Sequence, residues 1–239
     1  MVSQTKVDTY TTLNRQSVAL ITVDVQNDFV LPDAPAEIPG TNQLVPKMVT
    51  LIHAFRRSQQ PIIHMVRLYL PDGSNVDCCR RGAIRAGQQI VQPGTAGAEL
   101  VEALKPTQSS QLDTAQLLQG TVQQIGYEEY VIYKPRWGAF YRTPLERFLR
   151  KRRIDSLVFC GCNYPNCPRT SIYEASERDF RIAIAADAVS GFRAEGVREL
   201  EGIGVVVQET EHILSWVHTP VVAPGLVRKP QPQGGRRPL

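Results

Sequence analysis

An α/β fold, with a mainly parallel sheet covered by helices on both faces, is predicted by two features of this sequence. Short runs rich in Val and Ile recur along the chain, and several are apolar at nearly every position, as expected for strands buried on both sides. Segments with apolar residues at helical spacing lie between these runs. Such alternation is typical of parallel strands connected by crossover helices.

The predicted elements follow from these two patterns. Strands are predicted at 18–24, 61–67, 129–134, 156–161, 181–186 and 204–208. The main helices are predicted at 42–58, 144–152 and 168–180. On the last helix, Glu174 and Arg178 have the spacing of an i,i+4 ion pair.

Two regions have more specific local signals. Thr143 suits the N-cap of the 144–152 helix, with Pro144 at its first position and Glu146 as the reciprocal capping partner. The stretch 68–128 is less regular. There we expect short helices at 97–104 and 114–119, and an excursion over the sheet edge that could serve as a lid.

Length and composition favour one large domain. With 239 residues and 42% apolar residues, the chain can bury a sizeable core. We assign the domain to residues 15–220, an N-terminal arm to 1–14 and a disordered basic tail to 221–239. The sequence contains neither a membrane-length apolar run nor an N-terminal signal peptide, so we expect a cytoplasmic protein.

The net charge of +4 does not predict a nucleic-acid partner. Four basic residues in the Pro- and Gly-rich tail account for the whole excess, namely Arg228, Lys229, Arg236 and Arg237. A solvated tail is favoured over a nucleic-acid or membrane arm, because the sequence has no basic stripe interleaved with aromatic residues. We therefore expect no nucleic-acid or membrane partner.

Three predicted strands stop at residues that carry chemistry. Asp24, Lys134 and Cys167 each follow an apolar run. In an open parallel sheet, ligands bind in the crevice beyond the carboxyl ends of the strands. An acid, an amine and a thiol that converge there are the usual components of a cysteine nucleophile site. Taken separately, Asp24 could be a cap, and Asp28 competes for its role.

Cys167 falls where a strand turns into a helix. A thiol at a helix N-terminus is expected to have a lowered pKa, and the amides there can hold an oxyanion. The alternative is a cysteine that merely packs, which is our interpretation of Cys160 inside its strand. Five cysteines without a secretory signal argue against a disulfide framework. A metal site and a Cys162–Cys167 redox pair are minor alternatives.

Three motifs in this order resemble those of the isochorismatase-like cysteine hydrolases. They are Val-Asp-Val-Gln-Asn-Asp-Phe, Lys-Pro-Arg-Trp-Gly-Ala-Phe-Tyr-Arg-Thr-Pro-Leu, and Gly-x5-Cys-x2-Thr followed by Ala-Ala-Asp-Ala-Val. The resemblance covers residues 17–210. It implies a three-layer, doubly wound sandwich around a mainly parallel six-stranded sheet.

The resemblance also implies roles for individual residues. Asp24 would be the base, Lys134 its charge partner and Cys167 the nucleophile. The amides of Asn163 and Cys167 would form the oxyanion hole. The peptide bond Cys162–Asn163 would be cis, although Tyr164–Pro165 could take that form instead, because this segment departs from the family pattern.

The activity implied is hydrolysis of a C–N bond in a small amide, ureido or N-carbamoyl compound. The metal-binding Asp-x-His…His cluster of the nicotinamidases is missing, so we expect no metal and no cofactor. An ether hydrolase and a non-catalytic binding protein are the alternatives. Homo-oligomers are common among relatives, so we expect one here. Four aromatic residues flank the motifs and are candidates for the substrate pocket or for the core, namely Phe29, Trp137, Phe140 and Tyr164.

Overall fold

The computed structural model describes residues 8–218. Its strands are β1 (Val18–Val23), β2 (Ile62–Val66), β3 (Gln123–Gly126), β4 (Glu129–Tyr133), β5 (Ser156–Gly161), β6 (Arg181–Val189) and β7 (Val206–Gln208). Its helices are α1 (Asn27–Val30), α2 (Thr41–Arg57), α3 (Cys78–Arg85), α4 (Thr114–Leu118), α5 (Leu145–Lys151), α6 (Cys167–Ser176), α7 (Ala194–Glu201) and α8 (Thr210–His218).

The strands form one sheet in the order β3-β4-β2-β1-β5-β6-β7. All neighbouring strands in the sheet are parallel except β3, which pairs antiparallel with β4. The α/β fold class is therefore confirmed, but the sheet has seven strands where six were predicted. The additional strand, Gln123–Gly126, has only one large apolar residue, so the apolar pattern could not predict it.

β1 lies at the centre of the sheet, between β2 and β5. Every residue of β1 is buried, which explains its unbroken apolar sequence. Its last residue, Val23, pairs with Met65 of β2 and with Gly161 of β5. The carboxyl ends of these strands therefore meet at one edge of the sheet, where the site residues were expected.

Several local predictions need correction. α5 begins at Leu145, so its N-cap is Pro144 and not Thr143 as predicted. The Thr143 hydroxyl oxygen still accepts a hydrogen bond from the Leu145 N–H at 3.3 Å. Glu146 does not cap the helix; its carboxylate accepts a hydrogen bond from Arg178 at 3.1 Å. The predicted Glu174–Arg178 ion pair is also wrong. Arg178 pairs with Glu146 instead, and it donates to the backbone carbonyl of Glu174 rather than to its carboxylate.

The excursion is more irregular than predicted. The expected helix at 97–104 is two separate 3-10 turns, at Ala96–Ala98 and Glu102–Leu104, whereas the helix expected at 114–119 is present as α4. Among residues 8–218, no helix is both long and apolar enough to cross a membrane.

The described part of the predicted N-terminal arm contacts the domain. The amide of Asn14 donates to the Ser156 hydroxyl at 2.8 Å, and the Arg181 guanidinium reaches the carbonyl of Thr9 at 3.5 Å. The predicted basic tail at 221–239 lies outside the described residues.

Candidate active site

Asp24 follows β1 directly and is nearly buried, with 3% of its surface exposed. Its backbone adopts a left-handed conformation, with φ of 55°, which turns the chain out of the strand. Its amide still donates to the carbonyl of Met65 at 2.9 Å, so the residue remains fixed to the sheet.

Lys134 occupies the equivalent position after β4 and is completely buried. Its Nζ donates to Asp24 Oδ2 at 2.8 Å and to the carbonyl of Arg136 at 3.3 Å. Asp24 Oδ1 is also buried, and no residue in the described part of the chain donates a hydrogen bond to it. One oxygen of the carboxylate is therefore committed to the lysine, and the other is free to accept a proton.

Cys167 is the first residue of α6, and Pro168 is the second. The carbonyl of Cys167 accepts a hydrogen bond from the Ser171 hydroxyl at 2.7 Å. The same Ser171 oxygen accepts from the amide of Ala139 at 3.0 Å. Ser171 therefore links the nucleophile helix to the chain that follows Lys134.

A close approach of β5 to β1 sets the position of the turn before Cys167. Gly161 has φ of +120°, and a Cβ placed there would lie 2.3 Å from the carbonyl oxygen of Val23. Glycine is therefore required. Beyond it, the amide of Cys162 donates to the Val23 carbonyl at 2.9 Å, and its thiol donates to the carbonyl of Asp24, also at 2.9 Å.

The peptide bond Cys162–Asn163 is cis, as the resemblance implies, and it is the only cis bond among residues 8–218. The alternative, a cis Tyr164–Pro165 bond, is wrong. The Asn163 and Cys167 amides donate no hydrogen bond within the part of the chain that the structure describes. Both predicted oxyanion-hole donors are therefore free.

The pKa of the Cys167 thiol is raised to about 12. Burial is the largest cause, and the negative charge of Asp24 adds to it, while Lys134 and Arg67 oppose it. This shift is opposite to the one expected from the helix N-terminus alone. At rest the thiol therefore keeps its proton, and an attack on a substrate requires a base to remove that proton as the bond forms.

A cavity of about 320 Å³, including its open mouth, brings these groups together. Asp24, Asn163 and Cys167 line its inner wall, whereas Lys134 lies behind Asp24 and does not reach it. The space enclosed within its walls is narrow, and much of this volume lies at the open mouth.

The four predicted aromatic residues divide into two pairs. Phe29 and Trp137 line the cavity. Phe140 does not; it packs in the core with its ring 5.7 Å from that of Phe180. Tyr164 also lies elsewhere, edge-on to the ring of Phe192 at 4.6 Å.

Sequence reasoning missed several residues of this region, and Arg67 and Gln26 are two of them. Arg67 follows β2, is 1% exposed and lines the cavity. Gln26 is fully buried and ties three segments together: it accepts from the Arg67 amide at 2.7 Å and donates to the carbonyls of Arg67 and Ala98 at 2.8 and 2.6 Å. Arg67 ends an apolar run, as Asp24 and Lys134 do, so a signal for it was present.

Asp28, the competing acid, has a structural role instead. Its carboxylate accepts from the amide of Val91 at 2.6 Å, and Gly97 packs against it so closely that a Cβ there would overlap it. Within residues 8–218, no three His, Cys, Asp or Glu side chains are grouped so as to hold a metal ion.

Comparison with known proteins identifies the family. The model of the isochorismatase domain matches residues 18–215, most of the chain. The protein therefore belongs to the isochorismatase family, and the assignment made from its motifs is confirmed.

Individual relatives agree with this assignment. The chain is 27% identical to a probable inactive nicotinamidase of Arabidopsis thaliana, over 80% of this chain and 91% of that protein. It is 28% identical to the N-carbamoylsarcosine amidase of an Arthrobacter species, over 75% of this chain and 61% of that protein. The crystal structure of an isochorismatase family protein from Desulfovibrio vulgaris superposes with a TM-score of 0.72 at 28% identity, covering 85% of this chain and 99% of that one.

Proposed function

We propose that this protein is an amidohydrolase that cleaves a C–N bond, other than a peptide bond, in a small amide, ureido or N-carbamoyl compound. The reaction uses a thioester-type acyl-enzyme on Cys167 and no metal. The observation that carries the proposal is the Asp24 carboxylate. One of its oxygens is held by buried Lys134 at 2.8 Å. The other has no partner within the residues that the structure describes, and Asp24 lines the same cavity as Cys167.

In the first half of the reaction, Asp24 takes the proton of the thiol while the Cys167 sulfur attacks the carbonyl carbon. The raised thiol pKa makes this transfer necessary, because little thiolate exists beforehand. Lys134 stabilises the negative charge of the Asp24 carboxylate through their ion pair at 2.8 Å. Asp24 then gives the proton to the departing nitrogen as the C–N bond breaks, leaving the acyl group on sulfur.

The negative charge that develops on the carbonyl oxygen is accepted by the amides of Asn163 and Cys167. Both are free in the structure, so no existing hydrogen bond has to break. Preorganised donors of this kind contribute about 3–4 kcal/mol each to transition-state stabilisation in other acyl-transfer enzymes.

The second half of the reaction repeats these roles with water. Asp24 removes a proton from a water molecule that attacks the thioester carbon. The thiol leaves and recovers its proton from Asp24. The products are the free acid, which is a carbamate if the substrate is a ureido or carbamoyl compound, and the unchanged enzyme.

A binding protein without turnover is the second candidate function. It is favoured by one relative that is a probable inactive nicotinamidase, and a thiol that is protonated at rest is compatible with it. An ether hydrolase of the same fold would need no covalent step, so it would retain activity without the Cys167 sulfur.

The test is an ammonia-release screen over amides, ureides and N-carbamoyl compounds, comparing the wild type with Cys167→Ala. Cys160→Ala is the matched control, since that thiol is fully buried within β5 and outside the cavity. We expect turnover by the wild type and the control and none by Cys167→Ala. Turnover by Cys167→Ala would overturn the covalent route, and no turnover of any compound by the wild type would favour a binding protein.

A further inference from the structure

The cavity contains a second polar group that the proposed reaction does not use. Arg67 is 1% exposed, and its guanidinium forms part of the cavity wall. Its Nη2 donates to the Tyr69 hydroxyl at 3.0 Å and to the Asp77 carboxylate. Its Nε and Nη1 are buried and have no hydrogen-bond partner among residues 8–218.

Unpaired buried donors of this kind are costly. A buried N–H group without an acceptor costs about 1–3 kcal/mol, and more when it belongs to a charged group. Burial works to lower the pKa of Arg67, but nearby acidic groups, Asp24 and Asp77 among them, outweigh it, so the guanidinium remains charged. Arg67 therefore places a fixed positive charge, with two unpaired donor nitrogens, at the wall of the cavity.

A second arginine stands beside it. Arg80, from α3, also lines the cavity; its guanidinium lies over the ring of Phe29 at 5.5 Å and donates to the Tyr69 hydroxyl at 3.3 Å. Tyr69 in turn donates to Asp77 at 3.0 Å, so one hydroxyl orients both guanidinium groups. We call Arg67, Tyr69, Asp77 and Arg80 the arginine cluster.

The charges of this cluster do not cancel. It contains two guanidinium groups and one carboxylate, and Arg80 makes no ion pair with any residue that the structure describes. The neighbouring pair of Lys134 and Asp24 is balanced within itself. The side chains at the cavity therefore carry an excess of one positive charge.

We propose that the arginine cluster is the binding site for a carboxylate of the substrate, so that the enzyme acts on anionic amides or ureido acids rather than on neutral ones. This inference rests on the proposed function. The scissile carbonyl lies at Cys167 and the oxyanion amides, while the carboxylate, a few atoms away, fills the free donors of Arg67 with help from Arg80. Arg67 is then a specificity-determining residue, and Tyr69 and Asp77 position it.

The test compares substrates that differ only in this charge. N-carbamoylglycine is paired with isobutylurea, and succinamate with 4-methylpentanamide, because an isopropyl group has the shape of a carboxylate without its charge. We expect the wild type to prefer the anionic member by about 100-fold in kcat/KM, the discrimination typical of a charged hydrogen-bonding site. Equal rates for both members of each pair would overturn the proposal without affecting the proposed function.

Variants of the arginine cluster test which residue causes the preference for anionic substrates. Arg67→Gln should reduce it to within a few-fold, mainly by raising KM for the anionic substrate, and Arg80→Gln should reduce it in part. Arg147→Gln is the matched control, since it removes one exposed arginine away from the cavity and should leave the preference unchanged. A preference that survives in Arg67→Gln would contradict the assignment. If that variant does not fold, Arg67→Gln/Asp77→Asn removes both buried charges together and is tested in its place.

An alkylation experiment separates failure of this inference from failure of the proposed function. If no compound is hydrolysed, the rates at which iodoacetate and iodoacetamide modify Cys167 at pH 9 still report on the arginine cluster. We expect the rate of modification by iodoacetate, divided by the rate with iodoacetamide, to fall about tenfold in Arg67→Gln relative to the wild type. An unchanged ratio would show that the cavity has no anion site.

Discussion

Removing the buried amine beside Asp24 should destabilise the fold strongly. The Asp24 side chain is only 5% exposed, so in Lys134→Met its carboxylate stays buried but has lost its charged partner. At an effective dielectric constant of 20, unit charges 2.8 Å apart attract by about 6 kcal/mol before desolvation is subtracted. Breaking a buried pair by removing one partner typically costs about 3–5 kcal/mol, so we expect a loss of that size in the free energy of unfolding.

The measurement is urea denaturation followed by circular dichroism, with the double variant Lys134→Met/Asp24→Asn completing a cycle. The double variant should recover most of the loss, because no charge then remains buried alone. Lys47→Met is the control: Lys47 pairs with Asp187 at 3.0 Å, but its side chain is 53% exposed, so its denaturation midpoint should hardly change.

Two results would refute this reasoning. A loss below about 1 kcal/mol in Lys134→Met would mean that water reaches the carboxylate and that the pair is not effectively buried. Additive losses in the double variant would mean that Lys134 and Asp24 do not interact, and the proposed base would then lack its charge partner.

Three further predictions concern the turn, the loop anchor and the thiol. Gly161→Ala should lower the unfolding free energy by about 2–4 kcal/mol, since a Cβ would lie 2.3 Å from the Val23 carbonyl at a positive φ; an unchanged denaturation midpoint would contradict this. Gln26→Leu should lower the unfolding free energy by about 2–4 kcal/mol in the same assay, because it removes three buried hydrogen bonds, two of them to the backbone of Arg67. A loss within experimental error would show that water replaces these bonds. Alkylation of Cys167 by iodoacetamide should accelerate about tenfold per pH unit up to at least pH 10, because its pKa is raised to about 12, and a plateau near pH 8 would disprove the shift.

The sequence predicted the central features of the site because its signal was local. Asp24, Lys134 and Cys167 each end a run of apolar residues, and parallel strands bring such ends to one edge of the sheet. The structure places Asp24 and Lys134 within 2.8 Å of each other and puts Cys167 in the same cavity as Asp24. Arg67 was missed although it ends its run in the same way, because a guanidinium is not one of the acid, amine and thiol components by which the other three were recognised.

Other features depend on tertiary packing, which a single sequence does not display. Phe140 and Tyr164 flank the motifs as Trp137 does, yet only the packing of Phe180 and Phe192 decides that these two rings face the core. The same holds for the thiol. The helix N-terminus predicted a lowered pKa, but the burial of Cys167 by surrounding segments reverses the shift.

The strand β3 at the edge of the sheet could not be predicted for a different reason. β3 is polar and Gln-rich, so nothing in its apolar pattern distinguishes it from a loop. It becomes a strand because β4 offers unpaired backbone groups beside it, and Gln123 pairs with Val131 there. Strand pairing of this kind is a property of the folded chain rather than of the segment.

The most direct test of the account is the identity of the atom that carries the acyl group during turnover. Enzyme mixed with a compound it hydrolyses is quenched in acid within milliseconds, digested and analysed by mass spectrometry. Fragment ions distinguish the sulfur of Cys167 from those of Cys160 and Cys162. We predict an acyl adduct on Cys167 alone; continued turnover without any adduct, or an adduct on another cysteine, would contradict the central claim.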